Sequence, residues 1–211
     1  MKAHNPFFRP QIASNYEAWY QNEGYDADQK EKTLLNWLLG HFDNVSSILE
    51  VGCGTGHFTR WLETKDKHVI GLDVSPPMIF TAKELGSKRL CLGEAQTLPF
   101  VAGSFDVVIM VTLLEFLDDP LPILREARRI SKKGVVLGTI NRHSFLGLHK
   151  KLKKGPIWGS ACLYSISGIR DVLEKAYDDQ PRIIWRTTLW PCIPWFLTLP
   201  WGGFIGMAIR W

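Results

Sequence analysis

Residues 50–57 read Glu-Val-Gly-Cys-Gly-Thr-Gly-His, placing three glycines at alternate positions directly after the apolar run Ser47 to Val51. Gly52 and Gly54 let the main chain turn sharply, and their missing side chains let a ligand approach the backbone. The helix expected from Phe58 to Glu63 would present unpaired N–H groups at its start, suited to a carboxylate or another anion. Asp73 closes the run Gly71-Leu72-Asp73-Val74-Ser75, about 20 residues further on, where a nucleotide-binding βαβ unit places the carboxylate that takes a ribose diol. Asp73 could also cap the helix expected to begin near Pro76, and the two uses are compatible.

The same residues narrow the ligand. Gly-x-Gly-x-Gly is not the Gly-x-Gly-x-x-Gly of dinucleotide folds. Glu50, in front of the loop, would repel a pyrophosphate but would suit an ammonium group. A ligand with a ribose, an amino-acid tail and no phosphate therefore fits better than NAD.

The elements that must position these residues follow from periodicity. Two helical pieces are expected between Asn5 and Gly40, the second with Leu34, Leu35, Trp37, Leu38 and Leu39 at helical spacing. Strands are then expected at Ser47 to Val51, His68 to Leu72, Arg89 to Leu92, Phe105 to Val111 and Val135 to Ile140. Between them lie helices at Phe58 to Glu63, Pro77 to Leu85 and Pro120 to Ile130, the last ended by Gly134. Phe105 to Val111 is apolar throughout apart from Asp106, as a central strand buried on both faces would be. Strands alternating with helices imply a Rossmann-like α/β fold with a doubly wound, mostly parallel sheet. Beyond Ile140 come a long connection, Asn141 to Tyr164, and a helix from Ser165 to Ala176 with Ser167 as candidate N-cap. Two strand candidates follow, Arg182 to Leu189 and Phe204 to Arg210, giving an antiparallel C-terminal strand. At 211 residues this is one domain: a helical lid over 1–44, a cofactor-binding core over 45–140, the connection 141–164 near an acceptor site, and a C-terminal helix and strands over 165–211.

Four ordered motifs give the chain a wider resemblance: Glu50 to Gly56; Gly71 to Ser75 with Met78 soon after; Gly93-Glu94-Ala95-Gln96-Thr97-Leu98-Pro99-Phe100; and Ser104-Phe105-Asp106-Val107-Val108. Over residues 45–140 the chain resembles the class I S-adenosylmethionine-dependent methyltransferases, in particular the small-molecule group that includes the ubiquinone and menaquinone C-methyltransferases. The resemblance implies S-adenosylmethionine as cofactor and S-adenosylhomocysteine as product. It implies that Gly52 and Gly54 pack against the methionine portion of the cofactor and that Asp73 takes the ribose hydroxyls. Val74 and Met78 would flank the adenine, Glu94 and the Ala95 N–H would meet its amino edge, and the Val111 carbonyl would face the cofactor ammonium. His57 stands where the family often has another polar residue, and no chemistry is assigned to it.

Methyl transfer from a sulfonium is an in-line displacement in which alignment supplies much of the rate, and a base is needed only where the nucleophile must lose a proton early. Two residues are candidates for that base. Glu115 lies in Thr112-Leu113-Leu114-Glu115-Phe116, which follows the fourth strand and lines the substrate pocket in the family; many relatives carry histidine nearby, and otherwise Glu115 is an exposed charge before a turn. His143 follows the fifth strand, on the side where ligand-facing loops lie. Tyr16 and Tyr20 could sit on the lid.

Composition bounds the partners. A formal charge of +4 and no interleaving of aromatic with basic residues outside one lysine run argue against a nucleic acid. Cys53, Cys91, Cys162 and Cys192 form no C-x-x-C pair, so neither a metal site nor a disulfide framework is expected. With no apolar leader at the N-terminus, a cytoplasmic location is expected. Thr187 to Ile209 carries no charge, but three prolines and a Gly-Gly pair favour strands and a loop over a membrane helix. Lys150, Lys151, Lys153 and Lys154, with five tryptophans between Trp185 and Trp211, are compatible with a peripheral membrane contact and an apolar or lipid-linked acceptor; a homodimer would use the same tryptophans. The same residues are compatible with two other readings, a non-catalytic S-adenosylmethionine-binding protein and, less well, an NAD-dependent oxidoreductase.

Overall fold

The computed structural model describes residues 6–152, 157–190, 193 and 195–211, with the side chains of 149–152 and 160 left aside. Phe105–Val111, the most apolar segment of the core, is strand β4 and is buried along its whole length. Around it lie β1 (Ser47–Val51), β2 (His68–Asp73), β3 (Leu90–Leu92), β5 (Ser131–Ile140), β6 (Arg182–Thr188) and β7 (Phe204–Arg210). The order across the seven-stranded sheet is β3-β2-β1-β4-β5-β7-β6. β1 to β5 run parallel, and β7 inserts antiparallel to both of its neighbours.

Apolar faces on the helices cover both sides. Leu34, Leu35 and Leu38 of α2 (Tyr25–Leu39) and Phe58 and Leu62 of α3 (His57–Glu63) pack on one face with Ile48, Val107, Val136 and Phe204. Ile123, Leu124 and Ile130 of α5 (Leu121–Ile130) and Ile169 and Leu173 of α7 (Ile166–Ala176) pack on the other with Leu49, Val108 and Val135. The first helix, α1 (Pro10–Gln21), and a short turn at Pro6–Phe8 lie against α4 (Pro76–Glu84). Asp106, the acid in the apolar strand, accepts hydrogen bonds from the backbone N–H and hydroxyl groups of Ser46 and Ser47. It thus fixes the start of β1, and despite the cost of partial burial these bonds and Lys133 hold it well below the ordinary carboxylate range.

Some boundaries differ from the sequence expectation. Gly134 does not end α5, because β5 already begins at Ser131. The glycine sits where the β4–β5 register shifts by one residue, and a Cβ there would stand 2.0 Å from the Ile209 carbonyl oxygen. The N-cap of α7 is Ser165, whose hydroxyl accepts from the Gly168 N–H at 3.1 Å; Ser167 is already inside the helix. The long connection contains a helix, α6 (Phe145–Leu152). Thr187 to Ile209 is the end of β6, a loop and most of β7, and among the described residues no helix is long and apolar enough to cross a membrane. Of the lysine run, Lys153 and Lys154 and the side chains of Lys150 and Lys151 lie outside the described residues.

Candidate active site

β1 and β4 are adjacent, but the crossovers from them run in opposite directions along the sheet, which leaves a crevice beyond their carboxyl ends. A cavity fills it. Glu50, Gly52, Gly54, Asp73, Val74, Met78, Glu94, Ala95 and Val111 all line its wall, with Leu113, Phe116 and Asp118. Four separate βα connections thus bring the sequence motifs to one place.

The glycine loop is shaped for that cavity. Gly52 has φ +74°, and a Cβ there would lie 2.7 Å from Leu113 Cδ1. At Gly54, φ +54°, the nearest atom to a Cβ would be Met78 Sδ at 4.0 Å, so the missing side chain leaves cavity space. Asp73 holds the loop in place: Oδ2 accepts from the Gly54 N–H at 2.9 Å and Oδ1 from the Ser75 N–H at 2.8 Å. A carboxylate can accept about four hydrogen bonds, so both oxygens keep capacity for a ligand hydroxyl. Burial raises the Asp73 pKa against the opposing bonds from Ser75, Gly54 and Val74. Capping of α4 falls to Ser75, whose Oγ accepts from the Met78 N–H.

Glu50 is buried beneath the loop and accepts a short hydrogen bond from the Thr59 hydroxyl. Burial pushes its pKa up to about 7, with Thr59 and His57 opposing. Glu94 sits exposed at the rim. Among the described residues no lysine or arginine lines the cavity, whereas Glu50, Asp73, Glu94 and Asp118 do. His57 also lines it but is paired with Asp28 and Glu17, so the wall as a whole favours a cationic ligand over a pyrophosphate. Among the described residues no group of His, Cys, Asp and Glu is placed to hold a metal ion.

Comparison with known proteins agrees with this chemistry. Residues 49–138 match the family model of the methyltransferase domain. An uncharacterised protein of Methanocaldococcus jannaschii is 33% identical over 170 residues, covering 77% of each chain. The chain is a class I S-adenosylmethionine-dependent methyltransferase. The demethylmenaquinone methyltransferase of Thermotoga maritima is 34% identical over 125 residues, 58% of this chain and 54% of that protein. A solved Thermotoga maritima structure, a SAM-dependent methyltransferase and possible histamine N-methyltransferase, superposes with a TM-score of 0.81 at 26% identity, over 98% of this chain and 99% of that one. The family membership makes this protein an enzyme that uses S-adenosylmethionine, and neither the non-catalytic nor the oxidoreductase reading finds support.

The cavity is also lined by residues outside the four motifs, among them Tyr16 and Tyr20, which the sequence offers as lid candidates. Phe7, Tyr16 and Tyr20 come from the N-terminal segment and close the cavity opposite the glycine loop. They are held there by polar groups. Glu17 of α1 accepts from the Thr55 hydroxyl at 2.8 Å and from Arg60 at 2.7 Å, and the Ser75 hydroxyl donates to the Phe7 carbonyl at 2.6 Å. His57 stacks on Tyr20 with centroids 3.8 Å apart, its Nε2 lies 2.7 Å from Asp28 of α2, and its Nδ1 lies 3.7 Å from Glu17. Burial lowers the His57 pKa, but its bonds to Asp28 and Glu17 outweigh this and the net shift is upward. Burial likewise disfavours the Glu17 charge, yet bonds from His57 and Thr55 and the nearby Arg60 bring its pKa down to about 2. His57 thus fastens α1 and α2 to the end of the glycine loop.

A second cavity adjoins the first across Tyr16, Tyr20 and Thr112, which line both. Its other walls are Asn15, Trp19, Glu31, Ile140, Ile157 and Trp158. Thr112 has φ +51°, a costly conformation for a β-branched residue, and its N–H is fixed to the Gly138 carbonyl at 2.7 Å. Only the position after the fourth strand could have drawn attention to it in the sequence. Neither candidate base lines either cavity. His143 is exposed, its N–H bonded to the Asn141 side chain. Glu115 is fully buried, not an exposed charge, and its Oε1 accepts from the Ile140 N–H at 2.7 Å.

Proposed function

We propose that this methyltransferase acts on a small acceptor with an apolar body, seated in the second cavity and presented to the cofactor across Tyr16, Tyr20 and Thr112. The sharing of these three residues by the two cavities carries the reading. Bound S-adenosylmethionine supplies an electrophilic methyl group on a sulfonium. Asp73 takes its ribose hydroxyls, Glu50 and the Val111 carbonyl face its ammonium, and Gly52 and Gly54 pack along its methionine portion. Val74 and Met78 flank the adenine, while Glu94 and the Ala95 N–H meet its polar edge. The lid excludes water and fixes the angle between the cavities, so the chain's main contribution is alignment.

The second cavity has no lysine or arginine on its wall among the described residues and carries Glu31, so it offers a phosphate or carboxylate no counter-charge. Trp19, Tyr20, Tyr16 and Trp158 suit a flat apolar body. A quinone-like acceptor, as the name of the demethylmenaquinone relative suggests, fits those walls. With neither Glu115 nor His143 on the wall of either cavity, positioning is expected to outweigh base catalysis. The test is labelled methyl transfer to a panel of apolar phenols, hydroquinones and aryl amines, with anionic analogues as controls. Trp158→Ala should raise the acceptor KM about tenfold while leaving S-adenosylhomocysteine affinity unchanged in calorimetry. A change in cofactor affinity with the acceptor KM intact would place Trp158 on the donor side and remove the assignment.

A further inference from the structure

β5 and β6 run parallel and β7 returns between them, so Ile140 and Thr188 both pair with Phe204 at the same edge of the sheet. The start of α6 and the loop 189–203 therefore share the carboxyl rim on which the cavities lie. They are joined there. The Asn141 side-chain amide donates to the Pro200 and Gly202 carbonyls at 2.7 and 2.8 Å, and Leu146 packs beside Gly203. With Leu146 turned inward, Phe145 and Leu148 face outward at 81% and 54% exposure, and Trp195 and Trp201 on the loop are 68% and 60% exposed. The other C-terminal tryptophans are engaged: Trp190 donates to the Thr187 carbonyl, Trp211 donates to the Ser131 carbonyl, and Trp185 packs against the core.

This part of the chain is basic in sequence. Residues 141–170 contain two arginines, four lysines and no acid, and the lysines, Lys150, Lys151, Lys153 and Lys154, come shortly after Leu148 in the chain. Residues 141–211 carry ten Lys and Arg against four Asp and Glu, so the positive excess of the protein belongs to this part. Exposed apolar side chains in a part of the chain this rich in lysine match a surface with an apolar interior and anionic heads. A second copy of the chain matches poorly, since a two-fold contact would set like charges against each other.

We propose that the rim formed by Phe145, Leu148, Trp195 and Trp201 docks the enzyme on an anionic lipid bilayer, with the lysine-rich sequence that follows Leu148 supplying the charge. Tryptophan sits at the headgroup level, Phe145 and Leu148 enter the acyl boundary, and the lysines meet the lipid phosphates. Ile157 and Trp158, close after the lysines in the chain, form a wall of the second cavity. Docking thus brings that cavity to the bilayer whatever its acceptor is.

Flotation of the full chain decides it, using phosphatidylcholine vesicles with and without about 30% phosphatidylserine. The protein should float with the anionic vesicles, at least about fivefold over the neutral ones, and salt should reduce the recovery. Trp195→Ser with Trp201→Ser, and separately Lys153→Gln with Lys154→Gln, should each lose most of it. S-adenosylhomocysteine affinity serves as the fold control, and it should not change in either variant. Equal recovery on both vesicles, full recovery in the variants, or a dimer in sedimentation equilibrium that the tryptophan pair abolishes would each overturn the proposal. The donor assignment would stand in all three cases, since calorimetry reads it independently.

Discussion

Burial holds Glu50 at a pKa of about 7, so near neutral pH the free protein carries it about half protonated. An ammonium beside it favours the charged form. Cofactor binding should therefore release a proton, and affinity should rise with pH through about 7; calorimetry in buffers of different ionisation enthalpy measures both, and Glu50→Gln should abolish the pH dependence. Asp73 makes a different prediction because it has two tasks. It clamps the glycine loop through Gly54 and offers its remaining lone pairs to a ligand. Asp73→Ala should weaken S-adenosylhomocysteine binding by about ten- to a hundredfold, the range of about 1.5–3 kcal/mol for bonds to a charged group. Both residues were legible in the sequence because their spacing from the glycines is local and dictated by one βαβ unit. Tyr16 and Tyr20 stand in the sequence only as lid candidates and Thr112 only within a pocket-lining segment; that they meet on the walls of two cavities was not legible, since nothing local links α1 to a loop 38 residues away, the separation of the Thr55–Glu17 bond.

At the scale of the element, the hold of α1 on the core titrates. His57 has a folded pKa above its ordinary 6.5, so its contribution is full below about 6.5 and fades as pH rises through the folded value. Glu17, brought to about 2, contributes fully above its ordinary 4.5 and fades only as pH falls toward about 2. Closure of α1 over the loop should thus be firmest between those limits and loosen on the alkaline side first. Hydrogen exchange of the α1 amides, corrected for intrinsic rates, should be faster at about pH 8.5 than at about pH 6, with the β4 amides unaffected. Glu17→Gln should remove about 1–3 kcal/mol of stability, because Arg60 and Thr55 lose a charged acceptor in a largely buried site. Equal α1 protection at both pH values would assign the lid to packing of Tyr16 and Tyr20 alone.

At the scale of the molecule, the parallel half of the sheet was readable because each strand is an apolar run between a glycine turn and an amphipathic helix. Gly134 misled for a physical reason: a glycine after a helix reads as a stop, whereas here Ile209 presses on a strand bulge and leaves no room for a Cβ. The position of β7 could not be read from local pattern either, since an apolar C-terminal run suits an edge or an interior slot equally. Its actual place, between β5 and β6, means that β7, which follows β6 in the chain, joins β6 to the rest of the sheet. Phe204, Ile205, Met207 and Ile209 are all buried, each at 1% exposure or less. Four such side chains correspond to about 6–12 kcal/mol of burial, comparable with the whole net stability of about 5–15 kcal/mol expected for a domain. A chain ending at Gly203 should therefore lose its near-UV circular dichroism and its cooperative urea transition. It should also lose S-adenosylhomocysteine binding, although every residue of the cofactor cavity is still present. A truncated chain that kept a cooperative transition and full cofactor affinity would show that the parallel half folds alone and that β6 and β7 are an appendage to it.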